Sequence, residues 1–156
     1  MTMWYDVPST ATGVKNVWME YSLPIGNGQL GGSLFGGVHK DEIQFNEKTL
    51  WTGKTSDMQG YGGGYGQYKN FGSIFVEDMS GVFLPGKDGE VKGYVRSLDL
   101  QEGVGRVQFT SSEGMTSYER TYIVSNPDKV MAVRYTATGK KKLHLFFSYA
   151  PGMDIN

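Results

Sequence analysis

Apolar and polar residues alternate along the second half of the chain, from about Gly103 onward. In a β-strand successive side chains point to opposite faces, so this period of two is typical of strands with one buried face. Four segments show the alternation or are rich in β-branched and aromatic residues: 106–110, 117–124, 130–136 and 143–149. Short turns rich in Gly, Pro, Asn and Asp separate them. We therefore expect this half to form antiparallel strands.

The first half of the chain is less regular but also favours strands. Residues 32–38 and 41–46 are predicted as two strands around a turn at His39 and Lys40. The segment from Gly60 to Gln67 is too rich in glycine for regular secondary structure and is predicted as a loop. No long window has a capped apolar repeat of 3.6 residues. The predicted fold class is all-β: an antiparallel β-sandwich with little helix.

A chain of 156 residues with 10 Tyr, 8 Phe and 3 Trp can bury the core of one domain. The alternation assigns six side chains to the interior of the sandwich: Val107, Phe109, Tyr122, Val133, Leu145 and Phe147. The strand at 143–149 is strongly apolar and needs cover on at least one face. We expect it to belong to a longer protein, and to leave an apolar docking patch exposed when the chain is alone.

Composition excludes several classes of function. Lys and Arg number 15 against 16 Asp and Glu, which gives a net charge of −1 and no basic surface for nucleic acid or an anionic membrane. The absence of cysteine excludes disulfides, zinc-thiolate sites and a cysteine nucleophile. Met1 to Asp6 lack the basic and apolar segments of a secretory signal. The compartment is left open between cytoplasm and a secreted or periplasmic location.

No motif for a cofactor or metal is recognisable. The glycines from Gly26 to Gly32 lack the strand, helix and Lys-Ser/Thr pair of a phosphate loop, so a turn with positive φ at Gly26 and Gly28 is predicted instead. His39 and His144 have no metal-ligand spacing and are expected to face solvent. We therefore expect no cofactor and no metal.

The segment from Gln44 to Gly53 holds the densest set of residue types that bind sugars. Asn46, Glu47 and Trp51 combine an amide, a carboxylate and an indole, which suit hydroxyl groups and the flat face of a pyranose ring. The alternative is that Trp51 packs in the core while Asn46 and Glu47 hold the loop backbone. Hydrolysis would need a pair of carboxylates, and sequence alone does not pair them.

Several segments, in order, resemble the opening of glycoside hydrolase family 95. The resemblance covers nearly the whole chain and rests on these motifs: Trp4-Tyr5-Asp6-x-Pro8, Trp18-x-Glu20-x-x-Leu23-Pro24-Ile25-Gly26-Asn27-Gly28-x-Leu30-Gly31, Phe35-Gly36-Gly37-Val38, Ile43-Gln44-x-Asn46-Glu47-x-Thr49-Leu50-Trp51-x-Gly53, Tyr94-x-Arg96-x-Leu98-Asp99-Leu100, Tyr118-x-Arg120 and Ser125-Asn126-Pro127-Asp128-x-Val130.

The resemblance implies an inverting exo-glycosidase, a 1,2-α-L-fucosidase or an α-L-galactosidase. Such enzymes have an N-terminal β-sandwich, a helical linker, a catalytic (α/α)6 barrel and a C-terminal β domain. Residues 1–156 then form a truncated N-terminal domain, part of a larger super-sandwich, without catalytic residues and inactive alone. Its expected partners are the catalytic barrel of the same polypeptide and, through the full enzyme, a fucosylated oligosaccharide. The alternatives are a free-standing carbohydrate-binding β-sandwich and a small intact hydrolase.

Overall fold

The chain folds into two five-stranded antiparallel sheets packed face to face, so the predicted all-β sandwich is confirmed. The computed structural model describes residues 1–9, 15, 17–52, 67–68, 70–83 and 90–152. In chain order the elements are β1 (Thr2–Tyr5), α1 (Val17–Tyr21), β2 (Leu23–Gly26), β3 (Leu30–Leu34), β4 (Lys40–Glu47), β5 (Trp51–Thr52), β6 (Gln67–Tyr68), β7 (Gly72–Asp78), β8 (Lys92–Asp99), β9 (Val104–Thr110), β10 (Thr116–Ser125), β11 (Val130–Gly139) and β12 (Leu145–Pro151).

Sheet I has the strand order β1-β8-β9-β10-β11, and sheet II has the order β12-β7-β4-β3-β2. Strands β5 and β6 form a separate short ribbon. The four strands predicted in the second half are confirmed as β9 to β12, and the predicted pair in the first half corresponds to β3 and β4. No helix among the described residues has the length and apolar character needed to cross a membrane.

Turn chemistry explains one hairpin in each sheet: β9–β10 in sheet I and β2–β3 in sheet II. Between β9 and β10 the amide of Ser111 donates to the carbonyl of Thr116 at 2.9 Å, and Gly114 has a φ of 74°. The turn prediction at Gly28 is confirmed by a φ of 84°, but Gly26 does not have a positive φ. Gly26 is needed for space instead, because a Cβ there would lie 3.0 Å from the carbonyl oxygen of Leu30.

The core lies between the sheets and is built from aromatic side chains on neighbouring strands of sheet I. The rings of Tyr94, Phe109 and Tyr118 stack across β8, β9 and β10, with centroids 6.1 Å and 5.4 Å apart. Phe83 packs edge-on against the stack. From sheet II and the segment that follows β3 come Leu23, Ile25, Leu34, Val38 and Ile43, all buried.

Three of the six predicted interior residues, Val107, Phe109 and Tyr122, are fully buried. Val133 is half-buried and packs against the core, and half-buried Leu145 borders a small interior void. The inward direction predicted for Phe147 is confirmed by its register, although its side chain is 62% exposed. Its register opposite Val76 places it on the inward face of sheet II. However, β12 is the edge strand of that sheet, where sheet I does not cover this ring.

One row across the inward face of sheet I contains two buried arginines. The strand registers align Tyr5, Arg96, Val107, Arg120 and Tyr135, one residue from each strand. Cross-strand partners lie on the same face of a sheet, so both guanidinium groups enter the sandwich. Each arginine also lies over a tyrosine ring, 4.8 Å from the centroid for Arg96 and 5.5 Å for Arg120.

The two arginines bind different groups on the sheet II side of the sandwich, in its strands and in the segments that join them. Arg120 donates to the carbonyls of Gly37 and Val38 and pairs with the buried carboxylate of Asp41 at 3.5 Å. The other oxygen of Asp41 accepts hydrogen bonds from Tyr122 at 2.6 Å and Tyr135 at 2.7 Å.

One terminal nitrogen of Arg96 donates hydrogen bonds to the carbonyls of Tyr21 and Leu34. The contacts of these two arginines hold the entry to β2 and the segment between β3 and β4 against sheet I.

Candidate functional site

The turn that follows β4 is held by Glu47. Its carboxylate accepts hydrogen bonds from the amide of Thr49 at 2.8 Å and from the hydroxyl of Thr49. The amide of Leu50 donates back to the carbonyl of Glu47 at 3.0 Å. A side chain that caps its own turn in this way fixes the backbone locally. The loop role of Glu47, considered from sequence as an alternative to sugar binding, is therefore present in the structure.

These contacts also set the protonation state of Glu47. Hydrogen bonds from the hydroxyl and then the amide of Thr49, with smaller effects of Gln29 and Lys48, lower the pKa of Glu47 below its usual range. Such bonds favour the charged form of a carboxyl group. At neutral pH Glu47 is an acceptor of hydrogen bonds. It suits a sugar hydroxyl better than the protonation of a leaving oxygen.

Asn46 and Glu47 are neighbours in sequence but point to opposite faces of β4. Asn46 pairs with Gly31 and points outward from the sandwich, while Glu47 pairs with Leu30. The Oδ1 atom of Asn46 accepts a hydrogen bond from the amide of Glu47 at 2.9 Å. In the part of the chain that the structure describes, its Nδ2 group has no partner.

An open cleft of about 310 Å³ lies where β3 meets the end of β4, and we name it the turn cleft. Asn46 and Glu47 both line it, so the structure brings these two predicted residues to one site. The described residues that line it are Gly26, Gly28, Gln29, Leu30, Gly31, Asn46, Glu47 and Lys48. Trp51 does not line the turn cleft. It lies on β5, opposite Tyr68, with its side chain 54% exposed.

A second open cleft, of about 610 Å³, adjoins the turn cleft at Gly31 and Asn46, and we name it the outer-face cleft. It contains Trp18 and Gln44, which the sequence reasoning did not single out as site residues. The signal for Gln44 was the alternation of β4, since residues 42, 44 and 46 are polar and share one face. Trp18 gave no such signal, because it belongs to the short helix α1.

Exposed aromatic rings form a surface on the inward side of sheet II, and we name it the aromatic patch. It consists of Phe45, Phe71, Phe147 and Tyr149. Phe45 lies 4.9 Å from Phe71 and 6.2 Å from Tyr149 between ring centroids. Phe71, Phe147 and Tyr149 are all at least 41% exposed. The apolar patch expected from sequence is therefore present, at the edge of the sheet where Phe147 lies.

The described residues hold no group of three or more His, Asp or Glu side chains that could bind a metal. His144 is exposed, whereas His39 is half-buried with its Nδ1 atom 3.0 Å from the carbonyl of Phe83. The solvent-facing prediction is thus wrong for His39, because the chain folds back over it. The glycine-rich segment predicted as a loop, Gly60 to Gln67, lies outside the described residues except for Gln67, which belongs to β6.

Comparison with known proteins connects this sandwich to glycoside hydrolases. A family model described as "Glycosyl hydrolase family 65, N-terminal domain" matches residues 3–64 and 54–153. "Alpha-L-fucosidase 2" of Arabidopsis thaliana is 26% identical over 165 residues, which cover 90% of this chain and 19% of the plant protein. "Probable alpha-fucosidase A" of Aspergillus niger is 26% identical over 164 residues, which cover 87% of this chain and 20% of the fungal protein.

The chain spans about a fifth of the length of these curated relatives. The two segments matched by the family model together cover nearly all of the sequence, from β1 to the end of β12. The match names family 65, so the resemblance to family 95 is a finer assignment than this comparison carries. The chain belongs to the family of glycosyl hydrolase family 65 N-terminal domains.

Proposed function

We propose that this chain is the non-catalytic N-terminal accessory domain of an inverting exo-glycosidase of the family 95 type. The parent activity is that of a 1,2-α-L-fucosidase, with α-L-galactosidase as the alternative specificity. In this proposal the domain packs on a catalytic (α/α)6 barrel of the same polypeptide. The observation that carries the proposal is the match of nearly the whole chain to one fifth of two proteins named as α-fucosidases.

The clefts next to β4 support a non-catalytic role. Inverting hydrolysis needs an acid and a base roughly 6.5–9.5 Å apart on opposite sides of the scissile bond. Among the residues that the structure describes, the turn cleft and the outer-face cleft together are lined by one carboxylate, Glu47. The lowered pKa of Glu47 makes it unsuited to act as the acid. The proposal therefore assigns the catalytic pair to the barrel.

The aromatic patch is the surface that we assign to docking on the remainder of the enzyme. A stable interface buries aromatic side chains at its centre, and a monomer seldom leaves several adjacent rings in water. Phe147 and Tyr149 lie on the inward face of β12, the side on which a sandwich buries its core. Further parts of the parent protein would complete the cover that sheet I gives to the rest of sheet II.

In the parent enzyme we assign Asn46, Glu47 and Trp51 to the rim of the substrate site. The Nδ2 group of Asn46 would donate a hydrogen bond to a sugar hydroxyl, and the carboxylate of Glu47 would accept one. The exposed indole of Trp51 would stack on a pyranose ring. The three groups reach one ligand only if the barrel supplies the opposite wall, because Trp51 lies outside the turn cleft. Their contribution to affinity is then small in the isolated chain.

The test of the non-catalytic role is incubation of the chain with 2′-fucosyllactose, followed by detection of free fucose. No release above background is expected. Release that is abolished by Glu47→Gln would overturn the accessory role and favour a small intact hydrolase. Release that is unchanged by this variant would also overturn it.

The docking role is tested by expressing the chain together with the remainder of its own polypeptide as a separate fragment. Copurification of the two fragments is expected, and the double variant Phe147→Ser, Tyr149→Ser is expected to weaken it. The control is Trp4→Ser, which removes an exposed aromatic ring from β1 on the opposite sheet. Copurification that is insensitive to the double variant would contradict docking through the aromatic patch.

A further inference from the structure

The outer-face cleft lies on the side of sheet II that faces away from sheet I. Its floor consists of two rows of cross-strand partners, and partners in such a row share one face. The first row joins Pro24, Ser33 and Gln44 across β2, β3 and β4. The second row is Gly31 and Asn46. Its next member, Gly26, lines the neighbouring turn cleft. The cleft therefore has a regular floor that is built on strands, not on loops.

Gly31 leaves a depression in the floor of the cleft. Gly26 and Gly31 stand side by side in the second row, so no side chain rises from the floor next to Asn46. A Cβ atom built on Gly31 would meet only the carbonyl oxygen of Ile25, at 4.0 Å. The space above Gly31 is therefore open, and a planar ring could approach the backbone closely there.

Several side-chain donors of the cleft make no hydrogen bond within the described residues. Within the described residues, the side-chain amide of Gln44 makes no hydrogen bond, and the side-chain Nδ2 groups of Asn46 and Asn70 have no acceptor. The Oδ1 atoms of these two asparagines are already bonded to the amides of Glu47 and Gly72, which fixes the orientation of both side chains. The cleft thus presents oriented donors with few internal partners.

An indole and a proline ring form the apolar part of the same cleft. Trp18 is 52% exposed, and Pro24 is also exposed. Among the described residues the lining contains no charged side chain: these residues are Trp18, Pro24, Ile25, Gly31, Gly32, Ser33, Gln44, Phe45, Asn46 and Asn70. A cleft without charge offers nothing to a phosphate, a carboxylate or an ammonium group. Flat apolar faces beside neutral amides match the alternating C–H and hydroxyl faces of a pyranose ring.

We propose that the outer-face cleft is a binding site for a neutral oligosaccharide, with Trp18 stacking on one sugar ring and Gln44, Asn46 and Asn70 bonding its hydroxyls. The site is complete on this chain, so it acts without the barrel. It shares Asn46 with the proposed rim and Phe45 with the aromatic patch, but Trp18 and Gln44 belong to neither. Because the cleft is open and shallow, we expect weak binding.

The test is a titration of the ¹⁵N-labelled chain with 2′-fucosyllactose, followed by NMR of the side-chain signals. We expect shifts of the Trp18 indole and of the Gln44 and Asn46 amides. Trp18→Ala is expected to weaken binding at least about tenfold, as truncation of a central aromatic contact commonly does. Gly31→Leu fills the cleft without backbone strain and is expected to have the same effect. Trp4→Ala is the matched control, since it removes an exposed indole on the other sheet.

Saturable shifts that are lost in both cleft variants, with unchanged thermal unfolding, support the site. Binding that is lost in Trp51→Ala but retained in Trp18→Ala would overturn it and leave the proposed rim intact. The absence of any shift would also overturn it, while the fucose-release and copurification tests still decide the accessory role. Equal binding of 3′-sialyllactose would overturn the assignment to neutral sugars, because its carboxylate meets no cation among the described residues of the cleft.

Discussion

Arg96 and Arg120 occupy mirrored positions in the core, one on each side of Val107 in the same cross-strand row. Both are buried, both reach carbonyl groups of sheet II or its approaches, and both lie over tyrosine rings. Only Arg120 faces a carboxylate, that of Asp41. The two halves of the row therefore each bury a guanidinium group, but in different electrostatic environments.

The difference appears in the direction of the two pKa shifts. Burial lowers the pKa of Arg96, although the neighbouring Tyr94 and Tyr5 offset part of this effect. Burial also acts to lower the pKa of Arg120, but the charge of Asp41 outweighs it and the pKa is raised. A buried charge with a counter-ion depends on that partner, whereas one held by carbonyl dipoles depends on many weaker contacts. The two sides should therefore respond differently to substitution.

The largest effect is expected from Arg120→Met. The substitution leaves the Asp41 carboxylate buried without its cation, and the carbonyls of Gly37 and Val38 without donors. Removing one partner of a buried ion pair costs about 3–5 kcal/mol. The measurement is the free energy of unfolding by urea. The double variant Asp41→Leu, Arg120→Met is the control and should recover part of the loss. A double variant less stable than Arg120→Met would contradict the pairing.

Arg96→Met is expected to cost less, about 1–3 kcal/mol, because it leaves polar carbonyls and no carboxylate behind. The carbonyls that lose their donor belong to Tyr21 and Leu34. Methionine keeps an apolar chain beside the ring of Tyr5. The same urea titration measures the effect. A loss equal to that of Arg120→Met would show that the carboxylate is not what separates the two sides.

The third prediction concerns high pH and the tyrosines around Asp41. Burial, and then the charge of Asp41, raise the pKa of Tyr122 well above its usual value of 10.0. The unfolded chain loses this proton near pH 10 while the folded chain keeps it, so stability is constant below that pH and falls as the pH rises further.

Tyr122→Phe should therefore flatten the fall in stability above about pH 10, and cost roughly 1 kcal/mol at neutral pH for the lost hydrogen bond to Asp41. Thermal unfolding across this range is the measurement. Tyr135→Phe is the matched comparison and should also flatten the fall, since burial and the charge of Asp41 raise the pKa of Tyr135 as well. An equal slope in wild type and Tyr122→Phe would contradict the assignment.

The arginine row also marks the limit of what the sequence predicts. Alternation identifies β9 to β12 correctly, because a half-buried strand must repeat every two residues. In the structure Arg96 and Arg120 lie on the inward face, together with Tyr94 and Tyr118, but none of the four is among the six residues that the sequence predicts to point inward. A reading that treats arginine as a surface residue misses them. Their partners could not be predicted, since Asp41 belongs to the other sheet and only packing brings it to Arg120.

The candidate sites show the same division between local pattern and tertiary packing. Asn46, Glu47 and Trp51 were grouped because they are close in sequence, yet strand geometry turns Asn46 and Glu47 to opposite faces of β4. The outer-face cleft is assembled by strand register, which pairs Gly31 with Asn46 and is not visible in the sequence. Phe147 was assigned to the correct face, but its exposure depends on how far the covering sheet extends.

The smallest effect is expected from Lys40→Ala, one residue before Asp41 and on the opposite face of β4. Lys40 pairs with Glu77 at 3.0 Å and lies 4.2 Å from the ring centroid of Phe75, but its side chain is 46% exposed. Exposed ion pairs contribute about 0.2–1 kcal/mol, because water screens the charges and the long side chain loses freedom when it is held. We expect Lys40→Ala to lower the free energy of unfolding by an amount within this range, and this loss should decrease as salt is added. The loss from Arg120→Met should change little with salt, because its carboxylate partner is buried. Urea titrations of both variants at low and high ionic strength measure this contrast in salt dependence. A Lys40→Ala effect that is large and independent of salt would mean that burial is not what distinguishes these neighbouring ion pairs.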